Sequence, residues 1–157
     1  MKIIFPNWKA HDFLRNLPIS DDQGFIVTDL YMRNPQYPEV FAVGDAASIT
    51  VPKLGSLGHM EAEVLAKVLG KEVGDYEPKK EIDPLEFELI CMGDMGGHKG
   101  FYMHTNEWWG GDTSILKMGY TPHALKMGFK AMYYTMGGKI PSWGLPLSER
   151  IADHTVI

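Results

Sequence analysis

Apolar and polar positions in the first 70 residues follow a pattern typical of short strands and one helix. The run from Phe25 to Val27 comes directly after a polar turn sequence, Asp-Asp-Gln-Gly, and is predicted to form a strand. The apolar run from Val40 to Val43 lies between Pro-Glu and Gly-Asp, which indicates a buried strand that ends at a glycine. Apolar residues at helical spacing then predict a helix that Ser56 caps, that runs to about Leu69 and that Gly70 ends.

The last part of the chain predicts a small sheet followed by a long helix. Strands are predicted at Phe87–Met92, Gly100–His104 and Ile115–Met118. A turn at Gly96-Gly97 joins the first two strands, and a helix begins at Thr121 with Pro122 in its first position. The apolar residues of this helix fall on one face, at Leu125, Phe129, Met132, Tyr133 and Met136. The helix ends at the glycine pair 137–138, and an irregular segment is predicted after it.

This order of elements predicts an α/β fold class with three zones along the chain. Residues 1–70 form the first zone. Residues 71–84 are charged and contain two prolines, so they are interpreted as a surface connection. Residues 85–157 form an α+β zone, with an antiparallel sheet and one long helix.

Composition narrows the class of protein. Apolar residues make up 45% and charged residues 22% of the chain, which is typical of a folded globular protein. The net charge is −5 and no long basic run occurs, so nucleic-acid binding is not expected. The single cysteine, Cys91, cannot form an internal disulfide and favours a reducing compartment. No secretory leader is recognised, and no apolar run approaches the roughly 20 residues of a spanning helix.

A Gly-Asp pair at the end of the second predicted strand is the first candidate site. Gly44 allows a ligand to approach the backbone closely. Asp45 would present its carboxylate at the carboxyl edge of the sheet, where open α/β sheets bind ligands such as sugar-like hydroxyls. Taken alone, the pair is more typical of a strand, a tight turn and a helix cap made by Asp45.

The longer segment Asn34–Ala47, NPQYPEVFAVGDAA, resembles the second FAD-binding motif of the two-dinucleotide-domain flavoprotein reductases. The resemblance implies that residues 1–70 are the remnant of a Rossmann-like FAD domain. It also implies that Gly44 and Asp45 bind FAD, with the carboxylate on the ribityl chain of the cofactor.

A second segment, Val51–Gly55, is similar to the VPK-x-G segment of sulfide:quinone oxidoreductases and flavocytochrome c sulfide dehydrogenases. The resemblance adds Lys53, Leu54 and Gly55 to the cofactor-binding residues. In that family the segment and the helix after it face the flavin, where helix N–H donors would stabilise the negative charge of the reduced ring. The alternative for Lys53 is a solvated surface lysine.

A third segment, Leu89–Gly96, resembles the strand that carries one of the two redox cysteines of these sulfide oxidisers. The resemblance implies that Cys91 is catalytic and that, with a partner cysteine, it accepts sulfur from sulfide beside the flavin. Judged by its surroundings in the sequence alone, Cys91 is more typical of a buried structural thiol on an apolar strand.

The predicted C-terminal helix is similar to the quinone-side segment of the same family. The resemblance implies that Ile90, together with Phe129 or Tyr133, contacts a quinone, and that Lys126 or Lys130 is the family's helix lysine. The alternative is that these residues form an ordinary core between helix and sheet.

Two aromatic segments favour attachment to a membrane surface. Ile140–Leu147 and the pair Trp108-Trp109 combine tryptophan with apolar residues, as in segments that dip into a bilayer interface. A plain surface loop is equally compatible with them. The predicted location is peripheral, on the cytoplasmic side of a membrane.

Two features of the family have no counterpart in the sequence, the G-x-G-x-x-G nucleotide motif and the second redox cysteine. The resemblance therefore covers nearly this whole chain but about the last 40% of a family member. We expect a C-terminal fragment of an FAD-dependent sulfide:quinone oxidoreductase that needs the missing N-terminal half, has no turnover alone and forms homo-oligomers. No metal site is expected, and Asp94, His98 and His104 are a weak candidate for one.

Two other functions remain open. A type II NADH:quinone oxidoreductase shares the Gly-Asp motif but does not need Cys91. A non-catalytic module could use the same fold to bind a membrane or a partner through its apolar surface.

Overall fold

The computed structural model describes residues 2–4, 7–74, 77–139, 141 and 144–154. The chain forms two compact units, Met1–Glu86 (unit 1) and Phe87–Ile157 (unit 2). In the described residues, unit 1 contains a long helix and a series of turns, whereas unit 2 contains a sheet and two helices.

Isolated bridges take the place of the two strands predicted in unit 1. Ile26 pairs with Ser20 in an antiparallel bridge and with Ala47 in a parallel one, and Phe41 pairs with Arg33. The prediction of regular strands at 25–27 and 40–43 was therefore wrong for the described part of this unit.

Two aspartates explain why these extended segments stay short. The Oδ1 atoms of Asp21 and Asp29 each accept hydrogen bonds from the backbone amides two and four residues later, at 2.8 to 3.0 Å. Such side-chain turns bend the chain before and after residues 25–27. The extended backbone between these two turns is therefore too short for a regular strand and forms only isolated bridges.

The helix of unit 1, α1, spans Gly55–Val73. Its N-cap is Leu54, and it ends at Gly74, which adopts a left-handed conformation with φ +81°. The predicted cap at Ser56 and end at Gly70 were wrong, and the last turn of α1 lies in the stretch interpreted as a connection. The left-handed cap explains the later end, because glycine takes this conformation at little cost and its N–H can bond the last carbonyls.

Unit 2 is built on a three-stranded antiparallel sheet in the order β1-β2-β3. The strands are β1 (Leu89–Gly96), β2 (Lys99–Thr105) and β3 (Ser114–Gly119). All three predicted strands are present. The turn between β1 and β2 lies at Gly97-His98, one residue later than predicted, and both residues have φ near +60°.

Two helices, α2 (Tyr120–Thr135) and α3 (Gly144–His154), follow the sheet. The N-cap of α2 is Gly119, so the prediction of a cap at Thr121 was wrong by two residues. The prediction of an irregular end was also wrong, because α3 occupies it. Pro146 lies in the first turn of α3, where a helix does not need the missing N–H.

Helix α2 packs on the face of the sheet that carries Gly100, Tyr102 and His104. A Cβ atom on Gly100 would lie 2.7 Å from the backbone nitrogen of His123 in α2, so only glycine allows this approach. Asp153 of α3 bonds to Tyr102 and His104 and is therefore on the same face. The opposite face of the sheet carries the residues in between.

The predicted fold class is confirmed at this level, as an α+β arrangement with a three-stranded antiparallel sheet and a long helix. No helix in the described part of the chain is long and apolar enough to span a membrane.

Candidate functional site

The Gly-Asp pair forms a short 3₁₀ turn, Gly44–Ala46, directly after the extended residue Val43. Gly44 has φ +64°, and an added Cβ atom would meet nothing within 4 Å. Asp45 is exposed. The turn therefore presents an open stretch of backbone with a carboxylate beside it.

The N-terminus of α1 lies against this turn. A Cβ atom on Gly58 would be 3.1 Å from the Cα atom of Gly44, so helix and turn approach as closely as glycine allows. Leu54, the N-cap, makes no side-chain cap hydrogen bond, and a side chain at Gly55 would enter open space. The start of α1, with the positive end of the helix dipole, therefore lies close to the turn that carries the exposed Asp45.

This set of groups fits the cofactor that the sequence implies. Helix N–H donors suit anionic oxygens, and the Asp45 carboxylate suits ligand hydroxyls. Gly44 and Gly55 leave their side-chain positions open to a ligand. That Gly44, Asp45 and the first turn of α1 bind FAD stays a prediction.

Glu61 is a residue of this region that the sequence analysis missed. It is 0% exposed, and its carboxyl group accepts hydrogen bonds from the Gly44 backbone N–H and, at 2.5 Å, from the Thr50 hydroxyl. Burial raises the pKa of Glu61, and the two hydrogen bonds oppose that shift. A signal was present in the sequence, because Glu61 follows the buried Leu57 by one helical turn and so lies on the same face of α1.

Lys53 is buried, with 9% of its surface exposed. Its Nζ atom donates to the Ala47 carbonyl oxygen at 2.5 Å and lies 4.2 Å from the centre of the Phe25 ring. Burial lowers the pKa of Lys53, while the nearby carboxylates, Asp45 first, act in the opposite direction. The alternative of a solvated surface lysine is wrong, and its role at a cofactor stays a prediction.

A hollow of about 1310 Å³ in unit 1 is lined in part by this segment, from Ser48 to Lys53. Trp8, Asp21, Phe25 and Lys53 are among the residues that line it. The remaining predicted cofactor residues do not line this hollow. The predicted set therefore divides into a group at the turn and α1, and Lys53 at the hollow.

Cys91 lies on β1, on the face of the sheet opposite the helices. Its partners across the sheet are Met103 on β2 and, next to that, Leu116 on β3. The Phe101 ring lies over Gly93, the next residue of β1 on this face. A Cβ atom on Gly93 would be 2.2 Å from the ring. Cys91 is a free, half-buried thiol in apolar surroundings.

Ile90 lies on the helix side of the sheet, because neighbouring residues of a strand point to opposite faces. Its partner on β2 is His104, which contacts α3. Phe129 and Tyr133 are one turn apart on α2, the first half-buried and the second 42% exposed. The structure thus places the predicted quinone residues on the helix side of unit 2 and the thiol on the other side.

A polar cluster of unit 2, on its helix side, was not predicted. Asp153 accepts hydrogen bonds from the Tyr102 hydroxyl at 2.8 Å and from His104 Nδ1 at 3.1 Å. Glu88 lies 3.6 Å from His104 Nε2. The cluster connects α3 to β2 and to the segment before β1.

The candidate metal group Asp94, His98 and His104 is not brought together. Asp94 lies 3.6 Å from His123, whose ring contacts that of His98, whereas His104 belongs to the cluster around Asp153. In the part of the chain that the structure describes, no three His, Cys, Asp or Glu residues are arranged to hold a metal ion.

The aromatic segments predicted to meet a membrane are described in part. Trp109 stacks on Phe87 at 5.4 Å, and Trp108 is exposed. Ile140, Ser142 and Trp143 lie outside the described residues.

Comparison with known proteins shows a likeness in structure. No family model matches the sequence. The structure is similar to that of the sulfide:quinone oxidoreductase from the hyperthermophilic bacterium Aquifex aeolicus, with a TM-score of 0.68 and 18% identity over 94% of this chain. The chain spans 37% of the length of that protein. At this identity the likeness shows a shared fold, that of one part of the larger protein.

Proposed function

We propose that this chain is the C-terminal part of an FAD-dependent sulfide:quinone oxidoreductase. The observation that carries the proposal is the shared fold over 94% of the chain, with a protein of that activity. In the proposed reaction, sulfide loses two electrons and becomes sulfur at the oxidation level of the element. A quinone takes those electrons and two protons to become a quinol.

The open turn and the start of α1 support the cofactor part of the proposal. FAD, when bound, supplies an acceptor for the two electrons of sulfide and a donor to the quinone. Asp45 would accept hydrogen bonds from ligand hydroxyls, and the first N–H groups of α1 would bind anionic oxygens. Lys53, Leu54 and Gly55 would form the adjoining part of the cofactor site.

The thiol of Cys91 supports the sulfide part of the proposal. We infer that it forms a disulfide with a second cysteine outside this chain. A sulfide anion attacks one sulfur of that bond, a persulfide forms there, and the other cysteine leaves as a thiolate. Met103, Leu116 and the Phe101 ring would be the apolar neighbours of the sulfur intermediates.

The helix side of unit 2 is the proposed quinone side. Ile90, Phe129 and Tyr133 would provide apolar and aromatic contacts for the ring. The exposed Trp108 supports a peripheral position on a membrane, because tryptophan is favoured at the lipid interface; the cytoplasmic side is part of the same proposal. Ile90 and Cys91 point to opposite faces of one strand, which would keep the quinone contact and the thiol apart.

Binding of FAD by the full-length protein tests this proposal. We expect the purified protein to be yellow, and Asp45→Ala to weaken FAD binding about tenfold or more, since a hydrogen bond to a charged group is lost. Flavin fluorescence titration measures both. Glu39→Ala, which removes another exposed acid of unit 1, is the control and should bind FAD normally. A colourless protein that does not take up added FAD would contradict the proposal and favour a non-catalytic binding module.

A further inference from the structure

A single buried carboxyl group connects the two segments of the proposed cofactor site. Glu61 is fully buried, and its two oxygens have different partners. Oε2 accepts the backbone N–H of Gly44, the residue that begins the turn with Asp45. Oε1 accepts the hydroxyl of Thr50, which is itself fully buried and lies three residues before Lys53.

The stretch between these two contacts is held by further bonds to one carbonyl group. The Ala47 carbonyl oxygen accepts from Thr50 N at 3.3 Å and from Lys53 Nζ at 2.5 Å. Ala47 also pairs with Ile26 in the parallel bridge. Movement of residues 44–53 would therefore break the bonds to Glu61 or to the Ala47 carbonyl.

Burying a carboxyl group at a core position costs desolvation free energy. An apolar side chain of similar size would avoid the desolvation cost, provided that its neighbours did not need a partner. Here they do, because the Gly44 N–H is fixed toward α1 by the close approach of Gly58. The carboxyl is therefore better explained by the geometry it imposes on the turn than by added stability.

We propose that Glu61 is a positioning residue, which fixes the turn of Gly44 and Asp45 relative to the segment from Thr50 to Gly55 and so prepares both for one ligand. The identity of that ligand as FAD rests on the proposed function. Glu61 itself lies behind the turn and does not need to touch the ligand.

The conservative variant Glu61→Gln separates positioning from charge. Its side-chain carbonyl can accept the Gly44 N–H, while its amide can donate to the Thr50 hydroxyl oxygen. This reverses the Thr50–Glu61 bond of the carboxylate and matches the bond that a protonated, neutral carboxyl would make. Burial favours that neutral form, and the charged groups that face Glu61 are Lys53 and Asp45. We therefore expect Glu61→Gln to keep the turn in place and Glu61→Ala to release it.

Hydrogen exchange at the Gly44 amide is the measurement that does not depend on any cofactor. In Glu61→Ala we expect this amide to exchange roughly tenfold faster or more, since its acceptor is gone, while α1 amides beyond the first turn keep their protection. Thr50→Val, which removes only the hydroxyl, should raise exchange less. Glu63→Gln makes the same chemical change on the same helix at a half-exposed residue paired with His59, and should have no effect.

FAD titration of the same full-length variants completes the test. Glu61→Ala should weaken FAD binding about tenfold or more, with Glu61→Gln close to wild type. Unchanged Gly44 exchange in Glu61→Ala, or unchanged FAD affinity despite faster exchange, would overturn the proposal. If Glu61→Ala does not fold, the other two variants decide. Weaker FAD binding in Thr50→Val together with wild-type binding in Glu61→Gln supports the proposal, and normal affinity in Thr50→Val overturns the proposal. A wild-type protein that binds no FAD while Gly44 exchange still depends on Glu61 refutes the proposed function and leaves the positioning role supported.

Discussion

At the scale of single residues, the candidate site depends on glycines whose roles differ with their surroundings. Gly44 leaves open space for a ligand, whereas Gly58 allows α1 to touch the turn. Gly44 lies in the segment Asn34–Ala47, and Gly58 lies in the helix that the sequence predicts. The contact between them was not predicted, because the two residues are 14 positions apart and belong to different elements.

Gly58→Ala tests that contact. Alanine favours a helix by about 0.5–1 kcal/mol over glycine, but its Cβ atom would lie 3.1 Å from the Gly44 Cα atom and push the turn away. We expect little or no gain in the free energy of unfolding, and weaker FAD binding. Gly128→Ala in α2, where the new side chain enters open space, is the control and should give the full gain. Urea unfolding that shows equal stabilisation for both variants would disprove the close contact.

At the scale of elements, α2 and the three strands of unit 2 were predicted, with β1 ending four residues later than expected and the other boundaries within two residues, because their apolar spacing and glycines are local signals. The N-caps were predicted less well. Neither Ser56 nor Thr121 caps its helix, and both helices begin at backbone that is fixed by neighbouring elements. Helix α3 was missed, because an irregular segment was predicted where it lies.

The attachment of α3 to the sheet gives a prediction at this scale. Asp153→Ala removes the acceptor for Tyr102 and His104, both of which are buried. We expect a loss of about 2 kcal/mol in the free energy of unfolding and faster hydrogen exchange throughout α3. Asp112→Ala, which changes an exposed acid of the same unit, should have little effect. Equal stability of the two variants would show that the Asp153 cluster does not hold α3.

At the scale of the whole molecule, the proposal makes Cys91 the residue that separates two activities. In the full-length protein, Cys91→Ser should lower sulfide-dependent quinone reduction at least about a hundredfold, since an alcohol cannot take part in thiol–disulfide exchange. FAD content should be unchanged, because no predicted FAD contact is altered. Sulfide-dependent activity that survives would contradict the assignment, and NADH-dependent quinone reduction that survives would favour a type II NADH:quinone oxidoreductase.

Other predictions at this scale stay predictions: homo-oligomers, attachment to a membrane surface, and the need for an N-terminal half. The need for an N-terminal half belongs to the proposed function, because this chain matches 37% of the length of the solved chain. A complete enzyme of this kind would join both parts in one molecule.

The sequence by itself determined α1, the three strands and α2 of unit 2, the Gly-Asp turn and the candidate residues, because glycine conformations and apolar spacing act over a few neighbouring positions. It also determined that Ile90 and Cys91 point to opposite faces, which follows from the alternation of a strand. Only the tertiary structure decided that Glu61 and Lys53 are buried and what they bind. Charged side chains are buried when segments distant in the chain supply their hydrogen bonds, and no local pattern specifies those partners.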